Sequence, residues 1–230
     1  MLLAVDTSTA QIGLALYDGT SLPGEFTWQS RAHHTEQLAP ALASLLERTG
    51  LKIDAVQALG VATGPGSFTS LRVGLAFVKG LALARHIPLI GIPTLDIVAA
   101  CVPQTSLLTD SGQQRKLAAV LQAGRGRLAV GYYESSESGW RADGAVVTTT
   151  AEELEKQIHK PVIICGELSA ADRQCLARKF KNVMLASPAQ CVRRPGVLAE
   201  IAWNRWQAGE VDTADSLAPI YLHVVGGPPA

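Results

Sequence analysis

A short polar turn near the start of the chain holds the first residues that could do chemistry. It separates two apolar segments, residues 2–5 and 12–17, which predict the strands of an antiparallel hairpin. Its residues are Asp6, Thr7, Ser8 and Thr9. Amides and hydroxyls in such a turn can bind phosphate oxygens, and the carboxylate can hold a magnesium-bound water. The same side chains can instead stabilise the turn itself, so the pattern predicts either a nucleotide site or a self-stabilised hairpin.

A glycine-rich loop, residues 64–70, is the second candidate site. Gly64 and Gly66 permit backbone conformations that other residues resist. The loop lacks the Gly-Lys-Ser/Thr ending of a P-loop and the glycine spacing of a dinucleotide-binding fingerprint. It therefore predicts either a part of a nucleotide site or a tight junction between a strand and a helix.

Metal-binding patterns are absent from the sequence. His33 and His34 are adjacent, so they point in different directions on a helix and cannot chelate one metal as an i, i+4 pair can. The four cysteines form no CxxC pair and are predicted to be reduced, buried and hydrophobic in role. They are Cys101, Cys165, Cys175 and Cys191. We expect no metal site.

Composition excludes several classes of protein. The chain has 230 residues, of which 47% are hydrophobic and 17% charged, so it can bury a large core and is not disordered. Its 20 basic residues balance its 20 acidic ones, whereas a protein that binds nucleic acid alone usually has a basic excess. Only Arg178, Lys179 and Lys181 form a basic cluster. The start of the chain does not resemble a signal peptide and no apolar stretch could span a bilayer, so we expect a cytoplasmic location.

The elements around the candidate sites repeat along the chain. The first hairpin is followed by helices and further strands, and a second hairpin at residues 117–133 repeats the opening pattern. A polar stretch at residues 105–114 separates the two halves and is typical of a linker. The sequence therefore predicts an α/β chain with two similar lobes, residues 1–104 and 105–230, each led by a β-hairpin.

Local signals mark several helix ends. Thr35 is the expected N-cap of the first helix and Gly50 its expected end, with Pro40 disturbing its first turns. Thr150 begins a capping box, and Pro195 is placed to start the last helix.

One predicted helix, residues 71–85, is apolar nearly all round. A helix of this kind must be covered on every side, and the sheet can cover only one face. Gly74, Ala76, Gly80 and Ala82 are small, which would let another helix approach closely. The second cover is either another subunit or more of the same chain.

Several segments together resemble the TsaB (YeaZ) family of tRNA threonylcarbamoyladenosine biosynthesis proteins. The strongest is the glycine loop with the helix that follows it, and the match is dense in the first half of the chain and thin in the second. The segments are residues 3–9, 33–40, 64–76, 79–82, 93–95 and 219–222.

The resemblance implies an actin-like, Hsp70-like and sugar-kinase-like fold and a non-catalytic role. Members of this family bind TsaD, the subunit that transfers the threonylcarbamoyl group to tRNA, and the ATPase TsaE joins them. A second copy of the chain can occupy the same helices, and tRNA is contacted through the complex. The implied partner-binding residues are Leu42, Leu46, Leu71, Arg72, Val73, Gly74, Phe77 and Val78.

Three positions depart from the family pattern. Ser70 replaces a glycine, and it would strain the loop if that position needed a positive φ. Gln122 replaces a carboxylate in the second hairpin, and His223 replaces an arginine. The resemblance therefore implies a degenerate nucleotide site at residues 6–9, Gly64 and Gly66, with no cofactor required and at most weak binding of ATP or ADP. The alternatives are an ATP-dependent enzyme of the same fold and a glycoprotease-like metallopeptidase.

Overall fold

The computed structural model describes residues 1–30, 34–104, 116–137 and 139–222. His33, the predicted linker at residues 105–114 and His223 lie outside these residues. The described chain forms two compact units, each built on its own β-sheet.

The first unit contains a five-stranded sheet in the order β3-β2-β1-β4-β5. As predicted, the chain begins with an antiparallel hairpin, β1 and β2, whereas β4 and β5 continue the sheet in parallel with β1. All residues of β1 are buried, because this central strand is covered on both faces. The strands are β1 Leu2–Asp6, β2 Gln11–Tyr17, β3 Gly24–Gln29, β4 Ala58–Gly64 and β5 Leu89–Pro93.

Helices cover both faces of the first sheet. Side chains alternate along a strand, so Leu3 and Val5 pack toward α1 and α2 while Leu2 and Ala4 pack toward α6. The helices of this unit are α1 His34–Thr49, α2 Phe68–Arg85, α3 Thr94–Ala100 and α6 Pro195–Gln207.

Two helix boundaries differ from the prediction. Thr35 lies inside α1 rather than at its N-cap. The start of α2 is Phe68, three residues earlier than predicted, because the Ser67 side chain accepts a hydrogen bond from the Ser70 amide and caps the helix. Gly50 ends α1 with a φ of 67°, as predicted.

The second unit contains a six-stranded sheet in which β9 pairs with β7 beside the main order β11-β10-β6-β7-β8. Its hairpin of β6 and β7 repeats the first one, and β10 runs parallel to β6 as β4 does to β1. The predicted capping box at Thr150 is formed with Glu153. The elements are β6 Lys116–Gln122, β7 Leu128–Ser136, β8 Gly139–Ala142, β9 Val147–Thr149, α4 Ala151–Gln157, β10 Val162–Gly166, α5 Ala170–Leu176 and β11 Val183–Leu185.

The last helix returns to the first unit. The first unit comprises Met1–Ile97 and Arg193–Ile220, and the second is built on Val98–Val192. The segment Arg193–Ile220, which the prediction placed in the second lobe of residues 105–230, therefore belongs to the first unit. The cause is apolar packing, because Leu198, Ala199 and Ala202 are fully buried against the first sheet.

Replacement of Ala202 by Leu should destabilise the chain, because a Cβ on Gly60 would already lie 2.7 Å from the Ala202 Cβ. We expect a loss of about 1–3 kcal/mol from overpacking, measured as a lower urea midpoint by circular dichroism. Ala208→Leu at an exposed position just after α6 is the matched control. Equal midpoints for the two variants would contradict the close packing of α6 on β4.

Candidate functional site

The first hairpin turn is built around a buried ion pair. The Arg193 Nε donates to Oδ2 of Asp6 at 2.8 Å, and the two side chains are 1% and 3% exposed. The Ser8 amide donates to the other carboxylate oxygen at 2.8 Å. The Nη2 of Arg193 donates to Oγ1 of Thr9 at 2.8 Å and to the carbonyl of Gln11 at 3.3 Å. Both oxygens of Asp6 therefore have partners within the chain.

Arg193 was not among the predicted site residues. It lies 187 positions from Asp6 along the chain, so no local pattern connects the two. The only signal was two successive arginines before the predicted N1 proline, and this signal does not say which arginine points inward.

The hydroxyls of the turn also have internal partners. Thr7 Oγ1 donates to the carbonyl of Ser70 at 2.7 Å, and the hydroxyls of Ser8 and Thr94 lie 2.8 Å apart. The Nε2 of His34 is 3.0 Å from the carbonyl of Thr9, so α1 also contacts the turn. The Ser8 amide bond to Asp6 lies within the turn, and the other contacts join the turn to distant parts of the chain.

The glycine loop packs directly on this turn. The Ser67 amide donates to the carbonyl of Ser8 at 2.7 Å, and a Cβ on Gly66 would overlap that carbonyl. The amide of Gly64 donates to Oγ1 of Thr94 at 3.0 Å, and its φ of 111° favours glycine. The structure thus brings together the six predicted nucleotide-site residues, and it joins them to each other by hydrogen bonds and close packing.

Two departures from the family pattern have structural explanations. Ser70 lies in the first turn of α2 and is not among the described residues with a positive φ, so the expected strain does not arise. Its hydroxyl donates to the Ser67 hydroxyl at 3.0 Å. In the second unit, the Gln122 amide donates to the Asp172 carboxylate at 2.9 Å.

No cluster of three or more His, Cys, Asp or Glu side chains in the described residues could hold a metal ion. Within the same part of the chain, none of the helices is both long and apolar enough to cross a bilayer.

The predicted partner-binding residues divide into two groups. Four of them are buried within the first unit and cannot offer a side chain to a partner: Leu42, Leu71, Gly74 and Val78. The lack of a side chain at Gly74 serves packing within the unit rather than the approach of another helix, because a Cβ there would overlap Oγ1 of Thr7. The other four reach the surface: Leu46, Val73 and Phe77 are partly buried and Arg72 is exposed.

The outer face of α2 is apolar, as the sequence predicted. Phe68 is 51% exposed and Leu83 is 64% exposed, and neither was named as a partner-binding residue. The guanidinium of Arg72 lies 3.7 Å from the ring centre of Phe68. A groove of about 470 Å³ runs between α1 and α2. Its lining includes Thr35, Leu38, Phe68, Arg72, Val73 and Phe77.

Comparison with known proteins assigns this chain to a family. The model of the TsaD family, tRNA N6-adenosine threonylcarbamoyltransferase, matches residues 28–215. The chain is 32% identical to the tRNA threonylcarbamoyladenosine biosynthesis protein TsaB of Escherichia coli, over 62% of this chain and 59% of that protein. It is 25% identical to TsaB of Bacillus subtilis, over 97% of this chain and 94% of that protein. The chain belongs to the TsaD family, in its TsaB (YeaZ) group.

The fold of this TsaB-group chain matches that of a solved relative. YeaZ from Pseudomonas aeruginosa superimposes with a TM-score of 0.73 at 23% identity, covering 96% of this chain and 99% of that one. The predicted α/β class with two units, each led by a β-hairpin, is confirmed.

Loss of the Arg193 side chain should strongly destabilise the first unit, because it leaves the Asp6 carboxylate buried without a counter-charge. We expect Arg193→Met to cost about 3–5 kcal/mol in urea unfolding. The neighbouring Arg194 pairs with Glu25 at 2.6 Å but is 58% exposed, so Arg194→Met should cost at most about 1 kcal/mol. Similar losses in the two variants would show that the buried pair has no special role.

The two glycines of α2, Gly74 and Gly80, should respond in opposite directions to replacement by alanine. Gly74→Ala places a methyl group against Thr7, whose hydroxyl is bonded to Ser70, and we expect a loss of about 1–3 kcal/mol. A Cβ on Gly80 meets nothing within 4 Å, so Gly80→Ala should gain about 0.5–1 kcal/mol through helix propensity. Thermal unfolding of both variants tests this. The packing of α2 on the turn would be disproved by a Gly74→Ala chain as stable as the parent.

Proposed function

We propose that this chain is a non-catalytic subunit in the biosynthesis of tRNA N6-threonylcarbamoyladenosine, and that it binds a TsaD-type transferase through the outer face of α2. A TsaE-type ATPase joins the same assembly, and tRNA is contacted through the complex. The TsaB names of its relatives support the biosynthetic role. The single observation that carries the partner-binding role is the exposed apolar face of α2.

The internal bonds of the hairpin turn support a non-catalytic role. A kinase-like enzyme of this fold would use the turn for phosphate and its carboxylate for a metal-bound water. Here Asp6 is paired with Arg193, and the hydroxyls of Thr7, Ser8 and Thr9 are bonded to other residues of the chain. A nucleotide phosphate would have to displace these contacts, so we expect ATP or ADP to bind weakly and no cofactor to be required.

The family match indicates what kind of surface the partner would present to α2. This chain matches the TsaD family's own model over residues 28–215, so a TsaD-type partner has related helices at the corresponding positions. Two related surfaces can pair across a pseudo-two-fold axis, as identical ones do in a symmetric dimer. A second copy of this chain would compete for the same face. The side chain of Phe68 would lie at the centre of the contact with Arg72 beside it, and Leu83, near the other end of α2, would extend the apolar surface.

The test is the solution mass of the chain alone and after mixing with the TsaD-type protein of the same genome. We expect a new species at the summed mass, which displaces any homodimer. Phe68→Ser should weaken this association roughly 30-fold or more, because removal of an aromatic side chain at the centre of an interface costs about 2 kcal/mol. Phe180→Ser is the matched control, since Phe180 is 76% exposed and belongs to the second unit rather than to α2.

Two results would overturn the proposal. No association with the TsaD-type protein, or equal weakening by Phe68→Ser and Phe180→Ser, would exclude α2 as the binding surface. Formation of threonylcarbamoyladenosine by the chain alone, without the TsaD-type protein, would show that it is an enzyme.

A further inference from the structure

Two cysteines of the second unit lie side by side, although they are 26 positions apart in sequence. Cys165 is in β10, and Cys191 is in the loop that follows β11. The Cys165 sulfur is 3.4 Å from the carbonyl of Gln190, the residue next to Cys191, and the two thiols interact electrostatically. Cys165 is buried, whereas Cys191 is partly exposed. The prediction of four buried hydrophobic cysteines is therefore wrong for Cys191 and for Cys101, which is also partly exposed.

Two donors and one acceptor lie around the sulfur of Cys191, and the acceptor is the carbonyl of Ala186 at 3.7 Å. The Nη2 of Arg173 lies 3.2 Å from the sulfur, and the Gly166 amide also donates to it. The other Arg173 nitrogen, Nη1, donates to the carbonyl of Ala186 at 3.0 Å, which fixes the guanidinium beside the thiol. A nearby cation and a backbone amide are the features that favour a thiolate over a thiol.

Small molecules can reach this sulfur. An open pocket of about 390 Å³ adjoins it on the surface of the second unit. Its lining includes Gln122, Gly166, Glu167, Ser169, Arg173 and Cys191. Cys191 is therefore both accessible and placed next to a second thiol.

The pKa values of the two thiols are shifted in opposite directions. The hydrogen bond from Cys165, helped by the Gly166 amide and by Arg173, lowers the pKa of Cys191 to about 6 against the effect of burial. The same hydrogen bond, together with burial, raises the pKa of Cys165. The two shifts therefore favour the thiolate at Cys191 and the thiol at Cys165.

We propose that Cys191 is a site of oxidation by peroxides and that Cys165 is its resolving thiol, so that oxidation closes a disulfide between them. No part of the proposed function uses these residues, so the site is independent of partner binding through α2.

The reaction balances in two steps. The Cys191 thiolate attacks one oxygen of hydrogen peroxide, the O–O bond breaks, and the products are a sulfenic acid at Cys191 and hydroxide. The Cys165 sulfur then attacks the sulfenic sulfur, the S–O bond breaks, and the hydroxyl group leaves as water with the Cys165 proton. The two thiols lose two electrons, and the peroxide is reduced to two molecules of water once the hydroxide is protonated.

The first experiment treats the purified chain with hydrogen peroxide and maps its disulfides by mass spectrometry of non-reduced peptides. We expect one intramolecular bond, between Cys165 and Cys191, and a chain mass lower by two hydrogens. In Cys165→Ser the sulfenic acid should persist and be trapped by dimedone at Cys191. In Cys191→Ser both products should be lost. Cys175→Ser is the matched control, because burial raises the pKa of that thiol and it is expected to leave both products unchanged.

Three results would overturn the proposal. They are a disulfide that joins Cys101 to Cys165 instead, equal oxidation of the parent and of Cys191→Ser, and dimedone labelling at Cys175 rather than at Cys191. Mapping on the parent chain needs no variant, so a folding defect in Cys165→Ser would not obscure the answer.

Alkylation by iodoacetamide gives a second, independent measurement. The titratable and charged groups facing Cys191 are Cys165 and Arg173, with Cys101 next to Cys165. At pH 6 about half of Cys191 is thiolate, against well under 1% of an ordinary thiol with a pKa of about 8.5. Its lower intrinsic nucleophilicity offsets part of this gain, so we expect a rate about tenfold above that of an ordinary exposed thiol. A rate that rises only above pH 8 would contradict the thiolate at Cys191.

Discussion

The buried ion pair between Asp6 and Arg193 is the contact on which the first unit depends. Two charges taken out of water are costly unless their remaining donors and acceptors are satisfied. Here the Ser8 amide, the Thr9 hydroxyl and the Gln11 carbonyl satisfy them. The pair fixes the conformation of the first turn and, at the same time, the point where the chain returns to begin α6. Its geometry also places the turn against the glycine loop, and through Gly74 against α2.

Much of the fold was predictable because its signals are local. The hairpins, the end of α1 at Gly50 and the capping box at Thr150 each depend on residues within one turn or one strand of each other. The resemblance to a family also rested on short segments, and the structure assembles two of them, the turn and the glycine loop, into one site.

Arg193 shows what local signals cannot supply. Arg193 and Arg194 are adjacent residues of the same type. The Arg193 guanidinium is nevertheless buried against Asp6, whereas the Arg194 guanidinium is largely exposed beside Glu25. Only the packing of α6 on the sheet distinguishes them. Helix α2 poses the same problem, because an apolar pattern on every side does not say which face meets the sheet. Three of the predicted partner-binding residues on α2, Leu71, Gly74 and Val78, are therefore buried, whereas the exposed Phe68 and Leu83 were not named.

The return of α6 to the first sheet has a consequence for synthesis on the ribosome. The five strands of the first sheet emerge before the strands of the second unit, and α6 emerges after them. At about 5–20 residues per second, the sheet face that includes Leu2 and Ala4 waits on the order of ten seconds for its cover. The sheet of the second unit lies entirely within Val98–Val192, so it can form in that interval. The unit that is made first is therefore completed last, and its uncovered face is the part of the nascent chain most exposed to aggregation or to a chaperone.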